Sequence, residues 1–543
     1  MRDGVVLRAD VYRPDTAAPV PALLSRTCYD RSFSLTPSAG LDPERATDAG
    51  FAFVCQDVRG RHGSEGEFAP FRTEGADGYD TVEWVAAQPW CSGAIGMVGR
   101  SYPAATQWLA AADQPAHLLA IAPVVIGSNF FRGWVYQGGA FQLGFNLFWL
   151  SLITGGRTRP SLQEQFKHLP LTTAPLAEQS PAGRFYREWL DHPTEDEYCA
   201  ALSPSSRYGL IGVPAYNVAG WYDVFLGGTL ENFVRTRADA ATERARAGTR
   251  LLVGPWAHGS AWGPYPDHLF DLFGDDQRID LDADLLSFFG RHLRDHGEEP
   301  DDDRPPVRMF VMGENRWRDE DQWPLARARE QRWYLHRGDG ETLSPRPPDD
   351  EPPDSYRYDP ANPAPTLGGP TSLPARLMRS NSGPLDQRPL ESRADVLVYS
   401  SAPLERALEV TGPLSFVLWA ATSAVDTDFV AKLCDVAPDG FSRILAEGVL
   451  RARYRQGFDE PRAIAADAVY RYEIDLVATS NVFLPGHRIR LLVTSSSFPR
   501  FDRNANTGRP VGIDRAEQLT VATQTIFHDR ERASHLVLPV VDR

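Results

Sequence analysis

The segment Ala94–Ala112 reads A-I-G-M-V-G-R-S-Y-P-A-A-T-Q-W-L-A-A-A, and the rest of the chain can be interpreted outward from it. A short apolar run, Ile95–Val98, leads into Gly99-Arg100-Ser101-Tyr102 and then into an alanine-rich stretch of helical character. A serine on a sharp turn between a strand and a helix is typical of a nucleophile elbow. The helix N-terminus that follows offers backbone N–H groups to negative charge developing on a substrate. Ser101 is therefore a candidate nucleophile; a buried strand–helix junction with an incidental serine is the alternative.

Two further polar residues stand where such a site needs them. Asp223 ends the segment Gly220-Trp221-Tyr222-Asp223, and His258 ends Gly254-Pro255-Trp256-Ala257-His258, each after an apolar run. A serine nucleophile needs a base and a carboxylate that orients the base. In the α/β-hydrolase arrangement the three follow along the chain in the order serine, acid, histidine. We therefore predict a catalytic triad in which His258 takes the proton of Ser101 and Asp223 fixes the tautomer of the histidine.

Apolar runs alternate with helical stretches around these residues. The strand-like runs are Val5–Tyr12, Pro21–Cys28, Phe51–Gln56, Ile95–Val98, Leu118–Val125, Val213–Val218, Arg250–Val253 and Val307–Met312. Alternation at this spacing favours an α/β domain with a mainly parallel sheet. Functional groups collect at the carboxyl ends of such strands. The candidate triad and Tyr29 each follow one of these runs, so we expect them at one edge of the sheet.

Two parts of the chain depart from that alternation. Residues 129–208 are crowded with aromatic side chains and look helical, which favours a cap over the sheet. Residues 327–543 hold short Val-, Leu-, Ile- and Thr-rich runs separated by Gly, Pro and Asp, which favours a β-sandwich, here expected to be a jelly roll. We predict an α/β-hydrolase domain in two parts (1–128 and 209–326), an inserted helical cap (129–208) and a C-terminal all-β jelly-roll sandwich (327–543).

Composition limits the partners and the location of the protein. The chain has 543 residues with a net charge of −16, which argues against nucleic acid and anionic membrane surfaces as partners. No apolar run reaches the roughly 18 residues of a transmembrane helix, and the N-terminus has no signal-peptide pattern. Five scattered cysteines are typical of reduced thiols rather than a disulfide framework. We expect a cytoplasmic protein; a homo-oligomer is an open alternative to a monomer.

The loop D-V-R-G-R-H-G-S-E-G at residues 57–66 is rich in glycine, as some phosphate-binding loops are. Its spacing matches neither the dinucleotide fingerprint nor the P-loop, and no Gly-Lys-Ser/Thr follows. We interpret it as a structural turn, and we expect no metal and no other cofactor.

These residues make the chain recognisable, because it resembles the CocE/NonD family of serine hydrolases nearly from end to end. That family includes bacterial cocaine esterase, α-amino-acid ester hydrolases and X-Pro dipeptidyl-peptidases. The motifs that carry the resemblance are M-R-D-G-V-V-L-R-A-D-V-Y-R-P (1–14), R-T-C-Y-D (26–30), Q-D-V-R-G-R-H-G-S-E-G-E-F (56–68), G-R-S-Y (99–102), G-W-Y-D (220–223), G-P-W-A-H (254–258) and S-S-S-F-P-R-F-D-R-N-A-N-T-G (495–508). The family pattern around the nucleophile is G-x-S-Y-x-G, and Ala104 replaces its last glycine, which adds a methyl group but removes no catalytic group.

The resemblance implies the same division into hydrolase domain, cap and jelly roll. It also implies an oxyanion hole made by a tyrosine hydroxyl and a backbone N–H. By motif these are the hydroxyl of Tyr29, from R-T-C-Y-D, and the N–H of Tyr102, from G-R-S-Y. Without the family, Tyr29 would be interpreted as a packing residue.

The substrate class depends on the residues after the catalytic aspartate. Amino-acid ester hydrolases of this family carry carboxylates there to hold an ammonium group, whereas this chain has Val224-Phe225-Leu226. Cocaine-esterase-like members have an aromatic residue near that point, which Phe225 matches; Trp134 and Trp149 are further candidates for the acyl pocket. We predict an esterase that cleaves small carboxylic esters with an apolar or aromatic acyl group through an acyl-enzyme intermediate. An X-Pro dipeptidyl-peptidase or amide acylase is the alternative, and a non-catalytic binding protein that uses the β-sandwich is an alternative of another class.

Overall fold

The structure, a computed structural model, describes residues 1–33, 40–154, 161–180, 182–258, 265, 267–270, 279–294, 304–338, 342–373 and 381–542. Up to residue 320 its elements are β1 (Ala9–Tyr12), β2 (Val20–Thr27), α1 (Pro43–Asp48), β3 (Ala52–Asp57), α2 (Glu74–Ala86), β4 (Cys91–Arg100), α3 (Tyr102–Ala112), β5 (Leu118–Val124), β6 (Tyr136–Gln137), β7 (Ala140–Phe141), α4 (Leu143–Ile153), α5 (Leu162–Lys167), α6 (Pro175–Gln179), α7 (Gly183–Asp191), α8 (Glu197–Leu202), β8 (Tyr216–Tyr222), α9 (Leu226–Asp239), α10 (Glu243–Gly248), β9 (Arg250–Ala257), α11 (Leu281–Arg294), β10 (Val307–Val311) and β11 (Arg316–Glu320).

Strand β4, which leads into the candidate elbow, lies inside a nine-stranded sheet. The order is β1-β3-β2-β4-β5-β8-β9-β10-β11, parallel from β3 to β10 and antiparallel at the two edge strands. Every residue of β3 and of β8 is buried, as parallel strands covered by helices on both faces require. The predicted α/β-hydrolase sheet is therefore confirmed. Its carboxyl edge carries the residues that follow β2, β4, β8 and β9.

The cap lies between β5 and β8. It consists of the short hairpin β6–β7 and helices α4 to α8. Its aromatic side chains do not form a separate core, since one hydrophobic cluster joins Trp134 and Trp149 of the cap to Tyr102 and Trp108 of α3. The cap is thus built directly onto the face of the sheet that carries α3. The hairpin was not predicted, because two-residue strands are too short for an alternating pattern to show.

The C-terminal part is rich in β-strands, as predicted. Its elements are β12 (Ala328–Leu335), β13 (Leu343–Ser344), β14 (Asp354–Tyr358), α12 (Arg388–Glu391), β15 (Leu397–Ser400), β16 (Leu408–Thr422), β17 (Asp428–Val436), β18 (Ser442–Arg451), β19 (Tyr470–Phe483), β20 (Arg488–Thr494), β21 (Ala522–Phe527) and β22 (His535–Val541). One sheet has the order β13-β12-β22-β16-β21-β14 with β19 also on β16, and the other has the order β15-β20-β17-β18. A shared core fills the space between them. The jelly-roll order and the domain boundaries at 128/129, 208/209 and 326/327 stay predictions.

The C-terminal part holds the start of α4. The N–H of Gly144 donates to the carbonyl of Pro499 at 2.8 Å. Phe141 and Asp502 are joined twice: the Phe141 N–H donates to Asp502 Oδ1 at 2.8 Å, and the Asp502 N–H donates to the Phe141 carbonyl at 2.9 Å. The family-like segment 495–508 therefore fixes the helix that enters the cap. Within the described ranges, no helix is long and apolar enough to cross a membrane.

Candidate active site

Ser101 stands in a strained turn between β4 and α3. Its backbone angles are φ 62° and ψ −121°, a region that residues with a side chain rarely adopt. Gly99 has φ 151°, and a Cβ added there would lie 2.5 Å from the Cβ of Pro103, so the turn requires glycine. Ala104 is buried, and its N–H donates to the Ser101 carbonyl at 2.8 Å. The helix therefore begins directly after the serine despite the additional methyl group.

The three candidate triad residues meet at the carboxyl edge of the sheet. His258 Nε2 lies 3.0 Å from Ser101 Oγ, and His258 Nδ1 lies 3.0 Å from Asp223 Oδ2. A carboxylate can only accept, so Nδ1 carries the proton and Nε2 is left free to accept the serine proton. This is the tautomer that a general base for Ser101 needs.

Asp223 is held by more than the histidine. Its side chain is 1% exposed. The N–H of Phe225 donates to Asp223 Oδ1 at 2.7 Å, so each carboxylate oxygen has a defined partner. The residue follows β8 directly, and its own N–H donates to the carbonyl of Gly220 at 2.9 Å. The backbone therefore fixes the acid before any substrate arrives.

Tyr102 is the first residue of α3, directly after Ser101. The N–H belongs to the first turn of α3, where backbone donors have no partner within the helix. The hydroxyl donates to Glu74 Oε1 at 2.8 Å, and Glu74 pairs with the buried Arg26 at 3.0 Å. Burial raises the pKa of Glu74, although the charge of Arg26 opposes that rise. This buried network, which the sequence did not reveal, anchors the start of α3.

Tyr29 follows β2, the neighbour of β4 in the sheet, and is partly buried. The indole N–H of Trp149 donates to the Tyr29 oxygen at 3.1 Å. Burial raises the pKa of Tyr29 well above its ordinary value, so the group keeps its proton throughout the usual pH range. A neutral hydroxyl at this position can donate to an oxyanion.

Aromatic side chains pack against the imidazole of His258 and form an aromatic wall. Phe225 contacts His258 edge-on with ring centroids 5.1 Å apart, and it stacks on Trp134 with centroids 5.2 Å apart. Phe145 of α4 contacts both His258 and Phe225, at 6.2 and 5.3 Å. Of the three predicted pocket residues, Phe225 contacts the histidine, Trp134 packs behind Phe225, and Trp149 contacts Tyr29. Phe145 was missed, although its spacing of four residues from Trp149 places both side chains on one helical face.

Arg100, the residue before the nucleophile, was also missed. Its guanidinium Nη2 donates to the backbone carbonyl of His258 at 2.7 Å. This contact joins the end of β4 to the end of β9 next to the candidate triad. No sequence pattern distinguishes such an arginine from a solvent-exposed one. In the part of the chain that the structure describes, no group of three or more His, Cys, Asp or Glu side chains could hold a metal ion.

Comparisons with known proteins identify the family and the fold. Residues 3–260 match the family described as X-Pro dipeptidyl-peptidase (S15 family), and residues 301–537 match the X-Pro dipeptidyl-peptidase C-terminal non-catalytic domain. Among solved structures, an aminopeptidase from a marine-sediment Thaumarchaeota archaeon has a TM-score of 0.88 at 26% identity, covering 100% of this chain and 95% of that one. An α-amino acid ester hydrolase has a TM-score of 0.85 at 27% identity, covering 99% and 95%.

The sequence relatives are esterases. A putative serine esterase of Mycobacterium bovis (strain ATCC BAA-935 / AF2122/97) is 28% identical over 100% of this chain and 94% of its own length. A cocaine esterase of Rhodococcus sp. (strain MB1 Bresler) is 40% identical over 573 residues, covering 100% of this chain and 97% of that protein. Identity at that level over the whole length shows that the chain belongs to the CocE/NonD family of serine hydrolases.

Proposed function

We propose that this protein is a serine esterase that cleaves small carboxylic esters with an apolar or aromatic acyl group. The observation that carries the proposal is the 3.0 Å approach of His258 Nε2 to Ser101 Oγ beside an aromatic wall. Ser101 Oγ attacks the acyl carbonyl while His258 takes its proton, and Asp223 stabilises the imidazolium. The tetrahedral intermediate expels the alcohol, which receives the proton from His258. Water, activated by the same histidine, then releases the carboxylic acid and restores Ser101.

The oxyanion of that intermediate is held by two donors in this proposal, the Tyr29 hydroxyl and the Tyr102 N–H. We expect Tyr29→Phe to lower kcat about 10²–10³-fold, because removal of one oxyanion donor typically has that effect. The measurement is the steady-state hydrolysis of a p-nitrophenyl ester by the wild type and the variant. The phenylalanine variant keeps the ring and its packing, so an unchanged melting temperature is the control. Activity near that of the wild type would remove Tyr29 from the site.

The aromatic wall is proposed to bind the acyl group. We expect Phe225→Ala to lower kcat/KM for a benzoyl ester about 10–100-fold more than for an acetyl ester, since apolar contact in a pocket is worth roughly 1–3 kcal/mol. Phe225 touches His258 and stacks on Trp134, so its ring lies where a bulky acyl group would bind. The two esters should share one alcohol, so that the leaving group is constant. An equal loss for both esters would contradict an acyl-selective role.

A fluorophosphonate probe tests the proposed nucleophile directly. We expect stoichiometric labelling of the wild type and none of Ser101→Ala. Labelling of a folded alanine variant would assign the nucleophile elsewhere, and no labelling of the folded wild type would favour a non-catalytic binding protein. A panel of p-nitrophenyl esters, an aminoacyl ester and an X-Pro p-nitroanilide then ranks the substrates.

An X-Pro dipeptidyl-peptidase or an amide acylase is the second candidate, because the matching family carries the peptidase name. Val224 and Leu226, on either side of Phe225, are buried apolar residues that cannot pair with a substrate ammonium group. The apolar surroundings of Phe225 therefore favour an ester substrate that carries no free amine. We also propose a cytoplasmic location, which the five free, buried cysteines support.

A further inference from the structure

The cap donates a hydrogen bond to the candidate oxyanion residue. The indole Nε1–H of Trp149, on α4, points at the Tyr29 oxygen at 3.1 Å. An indole N–H can only donate, so the oxygen of Tyr29 is the acceptor in this contact and its own proton must point elsewhere. Trp149 therefore excludes the rotamer in which the Tyr29 proton points towards α4.

We propose that Trp149 is a positioning residue for Tyr29 and that Arg61 holds the two segments that carry this contact in register. The proposal rests on the proposed function, in which Tyr29 donates to the oxyanion. It assigns to Trp149 a role different from lining the acyl pocket. Because Arg61 belongs to the glycine-rich loop at residues 57–66, it also gives that loop a role in the site.

Each hydroxyl has one defined hydrogen bond in the structure. Trp149 donates to Tyr29, and Ser101 donates to Nε2 of His258. A hydroxyl that accepts a hydrogen bond becomes a stronger donor, because successive bonds polarise one another. Trp149 thus both orients the Tyr29 hydroxyl and strengthens its donation. Because Trp149 occupies an acceptor site of the Tyr29 oxygen, the Tyr29 proton stays available for donation to an oxyanion.

Arg61 bridges the backbones on which the two partners stand. Its Nε donates to the carbonyl of Cys28, the residue before Tyr29, at 2.9 Å. Its Nη2 donates to the carbonyl of Ile153, the last residue of α4, at 2.8 Å. The planar guanidinium makes both bonds at once, which a lysine ammonium on its flexible stem cannot reproduce in the same geometry. The start of α4 is fixed separately through Gly144, so the helix is held at both ends.

Trp134 offers a matched control within the same cluster. It is also buried, and its ring lies 5.1 Å from that of Trp149. Its indole nitrogen, however, has no hydrogen-bond partner among the described residues. Substitution of either tryptophan by phenylalanine removes a similar amount of aromatic surface, but only the change at residue 149 removes a hydrogen bond to Tyr29.

A double-mutant cycle on the full-length protein tests the proposal, with acetyl and benzoyl p-nitrophenyl esters as substrates. We expect Trp149→Phe to lower kcat about tenfold for both esters with KM nearly unchanged, since the oxyanion hole serves every acyl group. In the Tyr29→Phe background, Trp149→Phe should lower kcat less than twofold. Trp134→Phe should change the kinetics of the two esters to different extents. Its effect on each ester should be as large in the Tyr29→Phe background as in the wild type.

Arg61→Lys provides the second variant, which keeps the test decisive if Trp149→Phe does not fold. Its loss of kcat should also vanish in the Tyr29→Phe background. A loss from Trp149→Phe that is the same with and without the Tyr29 hydroxyl would overturn the proposal, as would a loss confined to the benzoyl ester. Fluorophosphonate labelling of each variant, taken to completion, separates this result from a failure of the proposed function, because the final extent of labelling reports whether Ser101 is the nucleophile even where the labelling rate is lower.

Discussion

Replacing Ser101 by alanine is expected to lower kcat for ester hydrolysis by about 10⁶-fold, the size of effect seen when a nucleophile of this kind is removed. The physical reason is that the acyl-enzyme route disappears, and water must attack without a covalent intermediate. A residual acceleration of roughly 10³-fold over the uncatalysed reaction should remain from the oxyanion donors and from binding. Single-turnover and steady-state measurements with one activated ester give both quantities.

The matched controls lie within the proposed triad. His258→Ala should lower kcat about as much as Ser101→Ala does. The double variant should have a kcat no lower than that of either single variant, because the two side chains act as one unit. Asp223→Asn should lower kcat about 10⁴-fold, since the amide favours the wrong tautomer of His258. Additive losses, or a folded Ser101→Ala variant that retains a tenth of the activity, would contradict the assignment.

The triad could be predicted because each member follows an apolar run that forms a parallel strand. The order of Ser101, Asp223 and His258 along the chain, combined with the rule that carboxyl ends share one edge, is sufficient to bring them together. The hydrogen bonds at 3.0 Å on both sides of the imidazole agree with that prediction. Their catalytic role stays a proposal until the variants are measured.

The supporting residues could not be predicted, since their roles exist only in three dimensions. Arg100 reaches a carbonyl 158 positions away, and Trp149 donates to a tyrosine 120 positions away. In sequence, Trp149 is one of many cap aromatics and Arg100 one of many arginines. The same limit applies to strand boundaries: the apolar runs 408–410 and 414–420 are separated by Gly412 and Pro413, which is a turn signal in the sequence, whereas β16 passes through both runs with a register shift between Pro413 and Ser415. Proline lacks the N–H that a regular ladder needs there.

A buried charge cluster, also invisible in the sequence, joins the C-terminal part to the cap. Glu447 of β18 is fully buried and pairs with both Lys432 of β17 and Arg500. Arg500 also donates to the side chain of Gln137, in the hairpin β6–β7, at 2.8 Å. Burial alone would raise the pKa of Glu447, but the attraction of the two cations outweighs it and lowers the pKa from 4.5 to about 2. The carboxylate therefore stays ionised between two buried positive charges.

Glu447→Gln is expected to destabilise the protein by about 3–5 kcal/mol at pH 7, because it leaves Lys432 and Arg500 buried without a counter-charge. The lowered pKa of Glu447 determines how the stability of the protein depends on pH. Stability from this carboxylate is fully present above about pH 4.5 and is lost as the pH falls towards 2, which amounts to roughly 3 kcal/mol. Urea unfolding at pH 7 and pH 4 should therefore show a smaller acid-dependent loss of stability in Glu447→Gln than in the wild type.

Glu473→Gln, which removes an exposed pair with Arg471, should change stability by less than about 1 kcal/mol and keep the acid response of the wild type. Equal stabilities of the two variants at pH 7 would mean that the buried cluster does not hold its charges as the structure indicates.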